Sequence, residues 1–262
     1  MPRLDVLLAR NSGHSRKQVK RLLRAGRVCD GAGERLDDGG LNLPPSGLPT
    51  VVHVDDEPVT LHHRVSVLLN KPLGVVTAQR DARHETAYAC LEGAPLFPEL
   101  RGVGRLDKDT SGLLLWTTDG TLLHKLTHPR YAVPRTYHAG LLRPFVAAGD
   151  DLVLDDGHRP VIEALERLPE SAMHPALRRS PTATEFAAIT IRTGRFHEVR
   201  RIFAALGSEV VDLCRVEFGG VCLPEALPAG RWTEVDLHAR FHGLSPRVPP
   251  ADSPSEPSGT PP

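Results

Sequence analysis

Apolar positions along the first part of the chain recur at helical spacing. Residues 4–10 fit one short helix, and residues 15–24 fit a second, with Ser15 as N-cap and Gly26 as the terminating residue. The apolar face of the second helix consists of Val19, Leu22 and Leu23. A strand-like segment that enters a turn follows this helix. These elements predict a small N-terminal α/β domain over residues 1–60.

From residue 64 onward, short apolar runs alternate with helical patterns. Val65, Val67 and Leu69 alternate along the chain, which predicts a half-buried strand. Residues 113–116 form an apolar run that predicts a buried strand. The sequence therefore predicts a second domain over residues 64–242.

The C-terminal segment has a different composition from the rest of the chain. Residues 245–262 contain seven prolines in eighteen positions and no apolar periodicity, so disorder is expected there. No run of eighteen apolar residues predicts a membrane helix, and the N-terminus lacks the apolar region of a signal peptide. Because the four cysteines form no CxxC pair, we expect a reduced cytoplasmic compartment.

The net charge of zero conceals an uneven distribution. Residues 1–27 hold eight basic side chains and one acidic one, whereas residues 28–60 hold seven acidic side chains and one basic one. Most of this positive charge lies on the second predicted helix, at Arg16, Lys17, Lys20, Arg21 and Arg24. Such a charge pattern usually indicates a helix face that is exposed to solvent. Since no glutamate lies at i±4 spacing, we favour a phosphate-binding face.

The same segment resembles the S4 RNA-binding domain. The resemblance covers about 45 residues and rests on the pattern RLDVLLAR, followed by SRKQVKRLLRAGRV. It implies that the basic helices of residues 1–60 present their cations to folded RNA.

A polar loop bounded by glycines lies directly before the apolar run at residues 113–116. This loop, residues 104–112, places Asp107 close to Arg105. An isolated aspartate in such a loop is usually a turn or capping residue. Its position at the end of a buried strand would also hold a carboxylate rigidly at the rim of a sheet.

Four ordered segments resemble the family of pseudouridine synthases that modify ribosomal RNA. They are residues 69–74, 104–112, 135–137 and 194–203, and Arg215 with Gly219-Gly220 continues the last of them. The match spans about 150 residues. It implies an α+β catalytic domain with a mostly antiparallel mixed sheet, and an enzyme that isomerises uridine to pseudouridine without a metal or other cofactor.

The resemblance also assigns roles to individual residues. Asp107 is the expected nucleophile, Tyr137 the ring that receives the flipped base, and Arg200 the cation that pairs with Asp107. An ionised carboxylate in a dry pocket requires such a cation, because otherwise it takes up a proton. Expected RNA contacts come from Arg105 and Arg201 in addition to the basic helix. Expected pocket support comes from Lys71, His197 and Arg215, and a purely structural role before Pro72 is the alternative for Lys71.

Two departures from the family pattern and one competing motif affect this interpretation. Arg135 stands where lysine is usual, which keeps the charge, and Glu198 stands where glutamine is usual. A carboxylate at Glu198 could compete with Asp107 for Arg200. His197-Glu198 also begins a possible HExxH zinc motif, but position 201 is arginine, so we expect no metal site.

The resemblance is strongest to the branch that acts on small-subunit rRNA, because of residues 127–131 and 227–232. Large-subunit rRNA is the alternative substrate. A non-catalytic RNA-binding or ribosome-assembly protein is the alternative of a different class, and the complete set of Asp107, Tyr137 and Arg200 argues against it. The expected partner is ribosomal RNA or a precursor of a ribosomal subunit, bound by a monomer.

Overall fold

The computed structural model describes residues 1–149 and 151–246, which contain two separate β-sheets. The predicted disorder of residues 245–262 falls mostly on 247–262, outside the described residues. No helix in the described part of the chain is both long and apolar enough to cross a membrane.

The N-terminal part consists of two helices and a three-stranded antiparallel sheet. The elements are α1 (Leu4–Asn11), α2 (Arg16–Arg24), β1 (Val28–Cys29), β2 (Thr50–Val54) and β3 (Glu57–Leu61), with strand order β1-β2-β3. Both predicted helices are confirmed. Helix α2 begins with a capping box, in which the side chains of Ser15 and Gln18 each accept a hydrogen bond from the other residue's backbone N–H.

The apolar faces of α1 and α2 pack against this small sheet. Val19, Leu22 and Leu23 are buried, as their spacing predicts, and they join Leu4 and Leu7 in one core. The polar face of α2 consequently points outward. Its exposed basic residues are Arg16, Lys17, Lys20, Arg21 and Arg24.

The second part of the chain forms a nine-stranded mixed sheet with three helices. Its strands are β4 (Ser66–Lys71), β5 (Arg101–Gly102), β6 (Ser111–Thr117), β7 (Arg135–Leu141), β8 (Ile162–Arg167), β9 (Glu185–Ile191), β10 (Val210–Phe218), β11 (Val221–Cys222) and β12 (Trp232–Glu234). Its helices are α3 (Gly120–Thr127), α4 (Glu198–Ala205) and α5 (Leu237–Arg240). A single-turn 3₁₀ helix lies in the N-terminal part at Pro45–Gly47. Others lie in the second part, at Ala89–Leu91, Phe97–Glu99, Pro129–Tyr131 and Glu170–Ala172.

The strand order is β12-β4-β6-β10-β7-β9-β8, with β5 paired to β6 and β11 paired to β10. Among the strand pairs of the described residues, β6 and β10 run parallel and the others run antiparallel. The predicted mostly antiparallel mixed sheet in an α+β fold is therefore confirmed.

Strand β4 is buried on both faces, so the prediction of a half-buried strand was wrong. Val67 and Leu69 belong to one apolar cluster, and Leu68 belongs to the cluster on the opposite face. The first cluster includes the buried face of α4, and the second includes residues of α3 and α5. Both sides of the central sheet are thus covered, which alternation within one strand cannot reveal.

A salt bridge connects the N-terminal part to the rest of the chain. Arg10 on α1 donates from Nε and Nη2 to the two carboxylate oxygens of Glu99, at 2.9 and 2.7 Å. Asn11 adds hydrogen bonds to the backbone of His62 in both directions. Such bidentate pairs fix orientation as well as distance.

Candidate active site

The loop that carries Asp107 connects β5 to β6 and is held by hydrogen bonds from three directions. The hydroxyl of Thr77 donates to the carbonyl of Leu106 at 2.8 Å and accepts from its N–H at 3.1 Å. The backbone N–H of Gly74 donates to the carbonyl of Lys108 at 2.8 Å. Lys71 Nζ donates to the carbonyl of Thr110 at 2.8 Å. These contacts fix the backbone on both sides of the aspartate.

Gly112 ends this loop at the point where β6 meets β10. Its φ of +100° lies in the region that favours glycine, and a Cβ at this position would overlap the backbone carbonyl of Arg215. The register pairs Gly112 with Arg215 in the one parallel pairing found among the described strands. A glycine is therefore required for the two strands to approach beside the loop.

Asp107 lines a cavity of about 390 Å³ on the face of the sheet that α4 covers. The cavity is lined by Gly104, Arg105, Leu106, Asp107, Thr110, Thr127, Arg135, Tyr137, Ile191, Gly194, Arg195, Phe196, His197, Glu198, Val199, Arg200, Leu213 and Arg215. It therefore brings together residues of three of the sequence segments that carry the family resemblance, 104–112, 135–137 and 194–203. The walls combine several cations with apolar side chains, and this composition suits a planar polar base attached to a phosphate backbone.

The imidazole of His197 lies beside the carboxylate of Asp107. Its Nε2 lies 3.6 Å from Oδ1 of Asp107, and both side chains are about one-third exposed, at 40% and 35%. His197 adopts a left-handed backbone conformation, with φ of 50°, directly before α4. Its ring stacks on Phe196 with 3.8 Å between ring centroids. The expected dry surroundings of Asp107 are thus partly open to solvent.

Arg200 pairs with Asp109 instead of Asp107, which corrects the predicted ion pair. Its Nη2 lies 2.8 Å from Oδ2 of Asp109, and its Nη1 donates to the carbonyl of Val210 at 2.9 Å. Asp109 lies two residues beyond Asp107 and is 66% exposed at its side chain. Arg200 still lines the cavity, because it projects from the first turn of α4.

Tyr137 lies on β7 with its side chain 8% exposed. Arg215 is its register partner on β10, and Arg135 precedes it by two residues on the same strand. Since residues two apart share one face of a strand, Arg135 and Tyr137 point into the cavity together. Burial lowers the pKa of the Arg135 guanidinium, with a smaller opposing effect from Tyr137.

Lys71 lies behind the Asp107 loop and does not line the cavity. Its side chain is fully buried at 0% exposure, and burial lowers the pKa of its ammonium group to about 8. The negative charges of Asp107 and Asp109 oppose this decrease. Lys71 thus holds the loop through Thr110 and places a cation near the carboxylates, so its support of the pocket stays a prediction.

Glu198 holds the loop before α4, and it does not contact Arg200 as the sequence suggested. Its buried carboxylate accepts hydrogen bonds from Thr193 Oγ1 at 2.6 Å and from the backbone N–H of Arg195 at 2.9 Å. A third contact joins Glu198 Oε1 to Nε2 of His158 at 3.0 Å. The carboxylate therefore fixes residues 193–197, at the start of a helix where negative charge is favourable.

The predicted RNA-contacting cations differ in how freely they can bind phosphate. Arg105 is exposed at the rim of the cavity. Arg201 contacts both Asp155 and Asp156, and its guanidinium holds the pKa of Asp156 at about 2. Two carboxylates therefore offset the charge of Arg201, which sets it apart from Arg105.

Two contributors to the site were missed in the sequence. Thr77 holds the loop through Leu106, yet a threonine in an extended segment gives no signal of that contact. Asp109 could have been found, because it is a second carboxylate in the same loop. Its ion pair depends on the position of α4, about 90 residues later in the chain.

Comparisons with known proteins show which family the chain belongs to. A family model described as RNA pseudouridylate synthase matches residues 65–205. Ribosomal small subunit pseudouridine synthase A of Escherichia coli (strain K12) is 34% identical over 232 residues, covering 88% of this chain and 94% of that protein. Ribosomal large subunit pseudouridine synthase B of Escherichia coli O6:H1 (strain CFT073) is 34% identical over 250 residues, covering 90% and 79%.

A solved structure gives the same result. The crystal structure of a pseudouridylate synthase superposes with a TM-score of 0.54 and 28% sequence identity, covering 92% of this chain and 98% of that one. The family model covers strands β4 to β9 and the loop of Asp107, and the two relatives each align with most of the chain. The chain therefore belongs to the RNA pseudouridine synthases, enzymes that isomerise uridine in RNA.

Proposed function

We propose that this enzyme converts a uridine of ribosomal RNA to pseudouridine, with small-subunit rRNA as its substrate. The observation that carries the proposal is the single cavity that holds Asp107, Tyr137 and Arg200 together. The two relatives named for ribosomal subunits support rRNA as the class of substrate. Residues 127–131 and 227–232, which look most like the small-subunit branch, favour that subunit.

Asp107 acts as the nucleophile in this proposal. The reaction breaks the glycosidic bond from the ribose to N1 of uracil and remakes it to C5, so it needs neither an oxidant nor a reductant. An ionised carboxylate suits this chemistry, because it can form and later release a covalent bond to the substrate. The rigid loop holds Asp107 in place, Lys71 supplies positive charge behind it, and the imidazole of His197 lies 3.6 Å from its carboxylate.

The uridine must leave the RNA stack to reach Asp107. An aromatic side chain is a suitable surface for the flipped base, and Tyr137 provides it at the cavity wall. Arg105 lies at the rim, where it can contact the adjacent phosphate or fill the space that the base leaves. The cations of α2 then supply sequence-independent contacts to the phosphate backbone, as an S4-like domain would.

Mapping pseudouridines in the rRNA of cells with and without this gene tests the proposal. We expect one or a few small-subunit positions to lose the modification in its absence. Restoration by the wild-type gene, and not by Asp107→Asn, would assign the chemistry to Asp107. Asp109→Asn is the matched control, since it removes a carboxylate from the same loop.

The other outcomes of this mapping are equally informative. A lost position in large-subunit rRNA would transfer the proposal to that subunit, for which the second relative is named. Full modification by Asp107→Asn, within about tenfold of the wild-type rate or 1.4 kcal/mol of barrier, would refute the nucleophile. An unchanged map with intact rRNA binding would favour the ribosome-assembly alternative.

A further inference from the structure

Arg135 and Arg215 line the cavity without a carboxylate partner among the described residues. Their side-chain hydrogen bonds go to backbone carbonyls, from Arg135 Nη1 to Thr193 at 2.9 Å and from Arg215 Nε to Leu113 at 2.8 Å. Most other cations around the site have acidic partners, as Arg200 and Arg201 do. The two guanidinium groups therefore bring uncompensated positive charge to the cavity wall.

Both guanidinium groups pack against one aromatic ring. Their central carbon atoms lie 5.2 and 5.3 Å from the ring centroid of Phe218, for Arg135 and Arg215 respectively. The strand register explains this arrangement, because Arg135 pairs with Phe218 and Tyr137 pairs with Arg215 across β7 and β10. The two cations consequently flank Tyr137, the proposed surface for the base.

Arg215 is 1% exposed, and its Nη2 has no hydrogen-bond partner within the described residues. Burying a charged group costs several kcal/mol unless an opposite charge or hydrogen bonds compensate for it. Glu198, one of the two acids on the cavity wall, has its oxygens engaged by Thr193 and Arg195. An anion that enters the cavity would supply the missing compensation.

We propose that Arg135 and Arg215 stabilise the negative charge that develops on the uracil ring during isomerisation. This inference rests on the proposed function. It assigns the two arginines a catalytic role in direct contact with the base, distinct from Asp107 and from a phosphate contact. Guanidinium N–H groups aimed at a carbonyl oxygen act as an oxyanion hole, and the burial of Arg215 strengthens its effect.

The chemistry requires such stabilisation whichever atom Asp107 attacks. If its oxygen bonds to C1′ of the ribose, the C1′–N1 bond breaks and its electron pair passes to the uracil ring, which becomes an anion. If its oxygen instead adds to C6, the electron pair of the C5–C6 double bond moves onto C5 and O4. Both routes place negative charge on a carbonyl oxygen of the base. Neither route places additional charge on a phosphate.

Single-turnover kinetics with transcribed small-subunit rRNA tests this inference. The variants are Arg215→Lys, Arg215→Met and Arg135→Gln, with Arg192→Gln as the control. Arg192 is a partly buried arginine that pairs with Glu163 and does not line the cavity. Thermal unfolding of each protein, and the Kd for the same RNA, are measured beside the rate.

We expect Arg215→Met and Arg135→Gln to lower the rate at saturating RNA by about 10²–10³-fold, the usual effect of losing an oxyanion-hole donor. The Kd for RNA should change little. Arg215→Lys should fall between wild type and Arg215→Met, because it keeps the charge but not the planar fork. Arg192→Gln should keep the wild-type rate.

A second substrate separates charge stabilisation from a loss of packing. RNA transcribed with 4-thiouridine carries a sulfur in place of O4, and sulfur accepts negative charge more readily than oxygen. The rate defect of Arg215→Met should therefore shrink on this RNA. An equal defect on both RNAs, or a weaker Kd with an unchanged rate, would overturn the inference. A wild-type protein that isomerises neither RNA would instead refute the proposed function.

Discussion

Arg200 and Asp109 form the ion pair that the sequence assigned to Arg200 and Asp107. The 2.8 Å contact between Nη2 and Oδ2 holds the start of α4 against the loop that carries Asp107. Asp107 is left facing the cavity, with the imidazole of His197 at 3.6 Å. The two carboxylates of the loop thus differ in their contacts, since Asp109 pairs with Arg200 and Asp107 faces the cavity.

Arg200 should be required for activity through both its charge and its position. We expect Arg200→Ala to lower the rate of pseudouridine formation by roughly 100-fold or more, about 2.7 kcal/mol of barrier. Arg200→Lys should retain more activity, because an ammonium can still reach a carboxylate. The rate of each variant is measured on the same rRNA transcript.

Asp109→Asn is the complementary variant for this prediction. It removes the partner of Arg200 but leaves Asp107 intact, so its rate should stay within about tenfold of wild type. Equal losses in Arg200→Ala and Arg200→Lys would contradict a role for the charge. A loss in Asp109→Asn as large as that in Arg200→Ala would show that the ion pair itself is what activity requires.

Activity should decrease at high pH because Lys71 loses its proton. Its pKa of about 8 in the folded protein means that the cation behind the Asp107 loop disappears above that pH. The rate of isomerisation at saturating RNA should therefore fall above pH 8. Lys71→Met keeps the length of the side chain without its charge, so its rate should be low and lack this pH-dependent step. A wild-type profile that stays flat to pH 9 would contradict the prediction.

The same shift predicts how stability depends on pH. Between pH 8 and 10.5, Lys71 is mostly neutral in the folded protein and still protonated in the unfolded chain. The unfolded state then binds more protons, so this residue makes the free energy of unfolding rise with pH, by up to about 1.4 kcal/mol per pH unit. Below pH 8, Lys71 is protonated in both states, and there it lowers the free energy of unfolding by its full amount. Urea denaturation gives the free energy of unfolding of wild type and of Lys71→Met across this range. The value for wild type minus the value for Lys71→Met should rise with pH.

Glu198 should stabilise the loop before α4 by accepting several hydrogen bonds at once. Glu198→Ala leaves the donors of Thr193 and Arg195 without partners, and each hydrogen bond to a charged group contributes about 1.5–3 kcal/mol. Glu198→Gln should cost less, because the amide oxygen can still accept one of these bonds. Urea denaturation gives the stabilities, and hydrogen exchange at the Arg195 amide reports on the loop. Equal stability of Glu198→Ala and wild type would contradict this account.

Much of the fold followed from local patterns in the sequence. The capping serine at position 15 and the apolar spacing of Val19, Leu22 and Leu23 define α2, and the structure confirms each of them. The continuous apolar run at residues 113–116 predicted a buried strand, and the structure has β6 there. These features depend on neighbouring residues, so one sequence suffices to predict them.

The errors concern relationships between distant segments. Alternation in β4 predicted one buried face, but the second face is covered by residues from α3 and α5, more than 50 residues away. The partner of Arg200 depends on the distance from α4 to two aspartates in one loop, and residue types alone could not choose between them. Glu198 was judged by its charge, whereas its actual contacts are set by the geometry of residues 193–197.

The basic face of α2 should provide phosphate contacts that can be counted. Lys17, Lys20, Arg21 and Arg24 are exposed and make no ion pair within residues 1–149 and 151–246, whereas Arg16 lies 3.5 Å from Asp5. Substitution is a cleaner test than removal of residues 1–60, because Arg10 anchors this part to Glu99. We therefore expect a variant with Lys20, Arg21 and Arg24 changed to glutamine to fold normally and bind rRNA more weakly.

The salt dependence of binding distinguishes a phosphate-binding face from a solvated one. Each lost phosphate contact should reduce the slope of log K against log salt by roughly 0.7–0.9, so three lost contacts should reduce it by about 2–3. The rate at saturating RNA should survive, since α2 lies outside the cavity of Asp107. Arg27→Gln is the matched control, because Arg27 is already paired with Asp55 on the same part of the chain. A triple variant whose slope equals that of Arg27→Gln would mean that the cations of α2 face solvent and do not contact the RNA.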